Sequence, residues 1–358
     1  MKGLLFIPDI SGYTSFINQT EVDHSQRIIQ ELLETIIGAN GIGLEISEIE
    51  GDAILFYRYG EMPTLEELYA QVERMFCEFH RNLTAYATRR YCQCAACVAA
   101  ADLTLKVITH YGEFTGYSVR SFNQLIGRDV ILAHELLKND IGDHEYWLVT
   151  QNLLRETPPS GLAHWMEWLS GEQETRLGKV PFAYAQLARL KEAVSLEPLP
   201  QVELAGKVRV ASLTREYESD IITLFHATGD FNYRARWLDG VRRVEEVDHL
   251  LPRVGMRCRC LLDNGQIVTY SNSYDFNDER ISFTETDGSG KRVTRYVLEE
   301  LDARRTRLTI EYFVGGNRAA TEAFRWLKGR QIERSLQRSM DNLVGLVEEL
   351  NVARAQMN

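Results

Sequence analysis

The chain opens with the stretch that most constrains its fold, an apolar run that ends in a carboxylate and a turn of small residues. Residues 4–8 read Leu-Leu-Phe-Ile-Pro, Asp9 and Ile10 follow, and Ser11 and Gly12 begin the turn. A short apolar run bounded by turn residues is typical of a buried strand. If a helix follows, a carboxylate and free backbone N–H groups meet at one point, which suits a metal ion carrying a polyphosphate. The same order is also typical of a strand capped by an Asx turn.

Length and composition indicate a globular protein with two domains. The 358 residues exceed what one hydrophobic core usually holds. The net charge of −11 argues against binding to nucleic acid or to a membrane surface. No apolar run approaches membrane-spanning length, and the first residues lack a signal-peptide pattern. We therefore expect a cytoplasmic protein whose six cysteines are thiols or metal ligands, not disulfides.

Strand and helix patterns alternate in the first half of the chain. We expect strands at 3–8, 44–49, 53–59, 103–112, 113–120, 146–150 and 181–187, and helices at 23–37, 64–90, 128–137 and 161–169. Asp52 lies at the tip of the hairpin between the second and third strands. This order is typical of an α+β sandwich, with helices on one face of a mostly antiparallel sheet.

Four motifs follow one another in this half. They are Phe-x-x-Asp-Ile-x-Gly-Tyr-Thr at 6–14, Gly-Asp at 51–52, His-x-Gly-Glu at 110–113, and Ile-Gly-x-x-Val at 126–130 followed by Ala133. Over residues 1–154 they resemble the class III adenylate/guanylate cyclase homology domain, in a degenerate form similar to DUF2652. Four ordered motifs are far more specific than any one of them. The resemblance implies a ferredoxin-like nucleotidyl cyclase domain, over 1–190, that forms a head-to-tail homodimer with its active site at the interface.

The resemblance also implies the residues of a metal and nucleotide site. Asp9 and Asp52 look like the two aspartates that bind Mg²⁺ or Mn²⁺, and Ile10 would add its backbone carbonyl. Two such carboxylates can hold ions that activate a ribose hydroxyl and clamp a triphosphate. The remaining nucleotide-binding residues would be Ser11, Gly12, Tyr13 and Thr14, whose backbone N–H groups would face the phosphates of a nucleoside triphosphate.

Other positions depart from the cyclase pattern. Glu48 stands at the purine-selecting position, as in guanylate-type members, where a carboxylate accepts from the guanine N–H groups. Its usual partner position holds Gln124, which fits neither purine. Ile131 and Glu135 replace the asparagine and arginine that orient the ribose and stabilise phosphate charge. Losing one such group commonly costs a factor of hundreds to thousands in rate. We therefore assign no catalytic residue and expect binding without efficient turnover.

A cysteine cluster offers a second candidate metal site. Cys92, Cys94 and Cys97 lie within six residues, and Cys77 and His80 share one face of the preceding helix. Three thiolates and one of those two side chains would complete a zinc site. An iron–sulfur cluster needs the same thiolates. The alternative is that the cysteines are small apolar residues before a core strand.

The second half has its own pattern, after a linker at 191–206. A strand at 207–217 and a helix from about 219 precede six more strands and a long helix at 317–355, with the six strands expected at 241–249, 256–262, 266–276, 280–286, 291–300 and 305–314. This antiparallel plan over 207–354 resembles the START/polyketide-cyclase-like (SRPBCC) helix-grip superfamily. That resemblance implies a cavity for a hydrophobic small molecule. The candidate lining residues, each with a solvated face or ordinary core as the alternative, are Arg209, Glu216, Tyr270, Tyr274, Glu311 and Phe313.

Three functions remain open. The first is a sensor or signalling regulator with a degenerate cyclase-like domain fused to a ligand-binding domain. The second is an active guanylate-type nucleotidyl cyclase, a phosphorus-oxygen lyase that forms a cyclic nucleotide. The third is an interaction or redox protein whose cysteines hold zinc or an iron–sulfur cluster. A fold alone does not choose among them.

Overall fold

The computed structural model describes residues 1–20, 22–90, 94–120, 122–154, 162–196, 198, 202–247, 254–262, 265–277 and 279–357. The chain divides into two compact units. Unit 1 comprises Met1–Thr88 and Gln93–Leu196, and unit 2 comprises Arg89–Cys92 and Glu197–Asn358. No helix in the described ranges combines the length and the apolar character needed to cross a membrane.

Unit 1 contains nine strands and five α-helices within the described ranges. They are β1 (Lys2–Ser11), α1 (Tyr13–Gln19), α2 (Val22–Gly38), β2 (Glu45–Glu50), β3 (Ala53–Tyr59), α3 (Leu65–Arg89), α4 (Ala95–Ala99), β4 (Thr104–Glu113), β5 (Thr115–Val119), β6 (Phe122–Ile126), α5 (Arg128–Glu135), β7 (Tyr146–Thr150), β8 (Trp168–Thr175) and β9 (Gly178–Gln186). β5 and β6 form a separate hairpin.

The main sheet of unit 1 has seven strands in the order β2-β3-β1-β4-β7-β9-β8. Neighbouring strands are antiparallel except β4 and β7. The first four strands, with helices between β1 and β2 and between β3 and β4, have the order β2-β3-β1-β4. This antiparallel order confirms the ferredoxin-like core that the sequence predicted.

Helices cover both faces of this sheet, so the expectation that they share one face is wrong. α5 places Val130 and Ala133 in one core with Leu5 and Leu148. On the opposite face, the ring of Tyr69 in α3 lies 6.4 Å from that of Trp147, the strand neighbour of Leu148. β1 is accordingly buried on both faces over most of its length. Such burial explains its continuous apolar run.

Two strands of unit 1 were not anticipated. β6 is short, and β8 is a largely exposed edge strand of mixed polar residues, so neither carries a strong apolar alternation. β8 begins at Trp168, where the sequence pattern had predicted the end of a helix. Residues 162–167, the described part of that helix before β8, contain no helix either. The helix prediction for this segment is therefore wrong.

Unit 2 is an antiparallel sheet with a long C-terminal helix. Its elements are β10 (Val208–Tyr217), α6 (Ile221–Gly229), α7 (Arg234–Trp237), β11 (Val241–Val247), β12 (Arg257–Leu262), β13 (Gly265–Asn277), β14 (Arg280–Asp287), β15 (Arg292–Asp302), β16 (Arg305–Val314) and α8 (Arg318–Met357). The sheet order is β10-β16-β15-β14-β13-β12-β11, so α6 and α7 connect its two edge strands. The expected strand, helix, meander and long helix are all present.

The core of unit 2 lies between this sheet and its helices. Met340 and Leu343 of α8 pack in one cluster with Phe283, Tyr296 and Leu308. Asp220 caps α6 by accepting from the backbone N–H groups of the second and third helix residues. The apolar stripe of α8 therefore faces the sheet, as its helical spacing predicted.

Candidate functional site

Asp9 and Asp52 come together where β1 passes the β2–β3 hairpin. β1 runs two residues beyond Asp9, so Asp9 lies inside the strand, opposite Ala53 of β3 and Lys106 of β4. The backbone N–H of Ile10 donates to the carbonyl of Asp52 at 3.0 Å, which holds the hairpin tip against β1. Both aspartates of the predicted metal site therefore lie at one place in the fold.

Asp9 and Asp52 repel each other, and the positive charge of Lys106 partly offsets this repulsion. Lys106 Nζ lies 3.3 Å from Asp9 Oδ1. Burial raises the pKa of Asp9, although Lys106 opposes the rise. The pKa of Asp52 is raised to about 6, first by burial and then by the negative charge of Asp9. A divalent cation would offset the repulsion between these carboxylates, so the residues present fit Mg²⁺ or Mn²⁺.

The turn after Asp9 carries the predicted phosphate-binding residues. Gly12 has φ near 90°, in the left-handed region that favours glycine. Ser11 Oγ is buried and makes no hydrogen bond within the described ranges. Tyr13 and Thr14 begin α1, which has only seven residues and no acidic side chain in its first turn. The helix is too short for its dipole alone to make a phosphate site, whereas Ser11 supplies an available hydroxyl.

Glu48 and Gln124, the two predicted purine-reading residues, already have partners. Glu48 Oε1 lies 3.5 Å from His134 Nε2. Gln124 Oε1 accepts from the hydroxyl of Tyr117 at 2.7 Å, across the β5–β6 hairpin. A guanine base would compete with His134 for Oε1 of Glu48.

The two positions that depart most from the cyclase pattern lie on α5. Ile131 is 52% exposed. Glu135 accepts from the backbone N–H of Arg176 at 2.9 Å and lies 3.2 Å from that residue's Nε. Glu135 thus stabilises the β8–β9 turn, and neither side chain supplies a cation for a phosphate group.

His110, Gly112 and Gly127 have structural roles that explain their motifs. Asp129 accepts from the backbone N–H of Glu113 at 2.5 Å and lies 3.3 Å from His110 Nε2. A Cβ on Gly112 would come within 2.6 Å of Asp129 Cβ, and one on Gly127 would come within 2.8 Å of the Glu113 carbonyl. Burial lowers the pKa of His110, although Asp129 opposes this. These residues fasten α5 to the end of β4.

The described cysteines of the cluster lie beside a histidine that the sequence analysis did not select. His24 Nδ1 in α2 is 3.2 Å from Cys94 Sγ and 3.4 Å from Cys97 Sγ. These three ligand atoms all lie within 4.8 Å of one another. Cys92 lies outside the described residues. None of the five described cysteines forms a disulfide.

Cys77 and His80, the predicted helix ligands, do not belong to this group. Burial and the nearby Glu73 raise the pKa of the Cys77 thiol. His80 packs its ring 4.2 Å from that of Phe76, and its Nε2 is 4.0 Å from Glu145 Oε1. Cys77 and His80 therefore lie outside the group formed by His24, Cys94 and Cys97.

Sequence reasoning missed three residues of these sites: Lys106, His24 and Arg176. Lys106 reaches Asp9 only through the register of β1 with β4. His24 and Cys94 are 70 residues apart. Arg176 lies in a hairpin turn beside a strand that was not anticipated. The available signals were weak: a lysine between two apolar residues of a strand, and a histidine in the first turn of an amphipathic helix.

Unit 2 encloses a cavity of about 250 Å³ between its sheet and its helices. Tyr296, Tyr312 and Leu336 contribute to its lining, together with Arg234 and Glu285. Three of the candidate lining residues form cross-strand ion pairs instead, which join Arg209 to Glu311 and Arg307 to Glu216. Phe313 is not among the lining residues of this cavity. The side chains of Tyr270 and Tyr274 lie outside the part of the chain that the structure describes.

Comparison with known proteins gives one family and one curated relative. Residues 29–146 match a family described as "Protein of unknown function (DUF2652)", which confirms the expected similarity to it. "Uncharacterized protein Rv2561/Rv2562" of Mycobacterium tuberculosis (strain ATCC 25618 / H37Rv) is 30% identical over 120 residues, 34% of this chain. The match spans 56% of that relative's length.

Similar solved structures include adenylyl and guanylyl cyclase domains. The catalytic core of a rhodopsin-guanylyl cyclase in complex with ATPalphaS is 12% identical, covers 52% of this chain and 95% of that chain, and has a TM-score of 0.37. The adenylyl cyclase CyaB from P. aeruginosa is 16% identical, covers 52% of this chain and 95% of that chain, and has a TM-score of 0.34. At such low similarity, we base the interpretation of the site on the chain's own residues.

Proposed function

We propose that unit 1 is a degenerate cyclase-like domain that binds Mg²⁺ or Mn²⁺ with a nucleoside triphosphate but cyclises it inefficiently. The observation that carries this proposal is the meeting of Asp9 and Asp52. Two partly buried carboxylates balanced by one lysine leave an excess of negative charge, which a divalent cation would neutralise. The unbonded hydroxyl of Ser11, the last residue of β1, supports a phosphate contact.

Inefficient turnover follows from α5. Cyclisation builds negative charge on the phosphates, and a fixed cation or N–H donor must meet that charge. Ile131 is an exposed apolar side chain, and Glu135 adds a carboxylate. Metal ions could still hold the triphosphate, but the ribose and the leaving group would lack the support of these two positions.

The alternative is an active guanylate-type cyclase. Glu48 favours it, because a carboxylate can accept from guanine N–H groups. The 3.5 Å contact of Glu48 Oε1 with His134 Nε2 opposes it, since a base would compete with His134 for that oxygen.

Unit 2 would then regulate unit 1 by binding a small molecule. Its cavity supports an apolar ligand, because aromatic and aliphatic side chains form part of the wall. Arg234 and Glu285 form a buried ion pair at this cavity. We infer a ligand that is largely apolar but has one polar group close to that pair.

We also propose that unit 1 forms a homodimer. Exposed apolar side chains on β2, on the β5–β6 hairpin and on α5 support this: Ile46, Ile49, Tyr117, Ile126 and Ile131. Burial of such a patch is the usual driving force for association. Mass photometry should show a dimer that Ile126→Glu shifts toward monomer. A wild-type protein that stays monomeric at micromolar concentration would contradict this step.

The decisive experiment incubates the full-length protein with Mn²⁺ and each common nucleoside triphosphate. Native mass spectrometry measures bound nucleotide, and liquid chromatography with mass spectrometry measures cyclic product. We expect Mn²⁺-dependent nucleotide binding and at most slow formation of cyclic product, which Asp9→Asn should reduce further. Robust turnover lost in Asp9→Asn would replace the proposal with the active-cyclase alternative, and absence of nucleotide binding would refute both.

A further inference from the structure

We propose that His24, Cys94 and Cys97 form a zinc site in unit 1. This site shares no residue with Asp9 and Asp52 and is independent of the function proposed above. His24 Nδ1 lies 3.2 Å from Cys94 Sγ and 3.4 Å from Cys97 Sγ, and all three atoms lie within 4.8 Å of one another. Ligands of a tetrahedral zinc ion, with bonds of about 2.0 to 2.3 Å, are separated by roughly 3.3 to 3.8 Å. Small side-chain movements would therefore give zinc geometry.

The local backbone suits this purpose. Cys94 and Cys97 form a C-x₂-C pair, a spacing typical of structural zinc sites. Cys94 stands at the N-cap of α4, and its Sγ accepts from the backbone N–H of Cys97 at 3.5 Å. This contact holds the Cys94 sulfur at the start of α4, on the side of Cys97. Cys97 is 1% exposed, so the site has a buried side.

The ligand types select the metal. Two thiolates and one imidazole are sulfur and nitrogen ligands that zinc takes in proteins, and they leave the fourth position of a tetrahedral ion for water or one further ligand. Iron–sulfur clusters are held mainly by four cysteine thiolates, and this group has two. Mg²⁺ and Mn²⁺ prefer oxygen ligands and would choose the Asp9 site instead. The geometry therefore points to Zn²⁺ at this place.

The site would cross-link two parts of unit 1 that are far apart in the chain. His24 lies in α2 and Cys94 begins α4, 70 residues later. Closing so long a loop with a metal restricts the unfolded chain more than the folded one. Zinc would thus stabilise the packing of α2 against α4, a few residues before the start of β4.

The test uses the full-length protein, purified without chelator and under reducing conditions. Inductively coupled plasma mass spectrometry should find about one zinc per chain. After zinc removal, titration with Co²⁺ should give the strong visible absorption of tetrahedral cobalt and a thiolate-to-cobalt charge-transfer band. Addition of Zn²⁺ should remove both bands and raise Tm. These measurements on the wild-type chain need no variant to fold.

Variants locate the site. His24→Gln and Cys94→Ser should each lose most of the zinc and the cobalt bands, whereas Cys77→Ser, a thiol on α3 outside the cluster, should keep them. Circular dichroism checks that each variant is folded. The proposal is overturned if the wild-type protein takes up neither zinc nor cobalt. Retention of full zinc content in His24→Gln, loss of it in Cys77→Ser, or a Cys94–Cys97 disulfide under reducing conditions would also overturn it.

Discussion

Lys106 Nζ lies 3.3 Å from Asp9 Oδ1, in the partly buried site where Asp9 also meets Asp52. The positive charge of Lys106 attracts the carboxylate of Asp9. The two residues lie opposite each other because β4 pairs with β1 in this register. A divalent metal bound by Asp9 would therefore compete with Lys106 for the same carboxylate.

Replacing Lys106 should reveal this competition. Lys106→Met leaves Asp9 without its ion pair, so the metal-free protein should lose about 1 to 3 kcal/mol of unfolding free energy. The more negative site should bind Mn²⁺ more tightly, so Mn²⁺ should raise Tm more in the variant than in the wild type. Thermal denaturation with and without Mn²⁺ measures both effects. Equal Mn²⁺-induced shifts would contradict this account, and Lys2→Met, at an exposed lysine, is the control.

Gly112 should not tolerate a side chain. Gly112→Ala places a Cβ within 2.6 Å of Asp129 Cβ, at the point where Asp129 fastens α5 to β4. We expect a loss of about 1 to 3 kcal/mol in unfolding free energy, as for other overpacked sites. Gly142→Ala is the control, because its Cβ would have no neighbour within 4 Å. Urea denaturation compares the two variants. Equal midpoints would show that the close approach of Gly112 to Asp129 does not limit stability.

His80 predicts an acid dependence of stability. Burial lowers its pKa from 6.5 to about 3, so the unfolded chain binds more protons than the folded chain between these values. The unfolding free energy should therefore fall as pH drops from 6.5 toward 3. His80→Gln should reduce that slope. Phe76→Leu, at the ring that lies 4.2 Å from that of His80, should lower stability at every pH and keep the wild-type slope. Urea denaturation at several pH values in this range measures the slope of unfolding free energy against pH. An unchanged slope in His80→Gln would contradict the prediction.

Two arginines of α7 allow a matched comparison in unit 2. Arg234 pairs with Glu285 where both side chains are buried, whereas Arg236 pairs with Glu349 at the surface. Arg234→Met leaves the carboxylate of Glu285 buried and unpaired, and should cost about 3 to 5 kcal/mol. Arg236→Met should change stability little. Urea denaturation measures the difference, and similar losses in both variants would be inconsistent with a buried pair at the cavity.

Much of the fold could be predicted from local patterns. The alternation of β10 and the apolar stripe of α8 gave elements within a few residues of those observed, because burial imposes those periods. β6 and β8 were missed because short or exposed strands need little apolar alternation. α5 was expected on the same face as the other helices, and only the three-dimensional packing shows that it lies opposite α3.

The candidate sites could be predicted only in part. The resemblance to class III cyclases implied Asp9 and Asp52 as a pair, and the strand pattern alone showed only that one carboxylate follows an apolar run and the other lies at a hairpin tip. Lys106 reaches Asp9 through strand register, and His24 reaches Cys94 across 70 residues, so no local spacing announces either contact. Both contacts depend on how distant parts of the chain pack together, and the periodicity of the sequence does not reveal that packing.

The most direct test of the proposed function is Mn²⁺ binding by the full-length protein, measured by electron paramagnetic resonance. We expect saturable binding that weakens at least about tenfold in Asp9→Asn and in Asp52→Asn, because each removes an oxygen ligand. Asp140→Asn, at an exposed aspartate, and Cys94→Ser, in the separate cysteine cluster, should bind as the wild type does. Unaltered binding in both site variants, or no Mn²⁺ binding by the wild type, would contradict the assignment of Asp9 and Asp52 as a metal site.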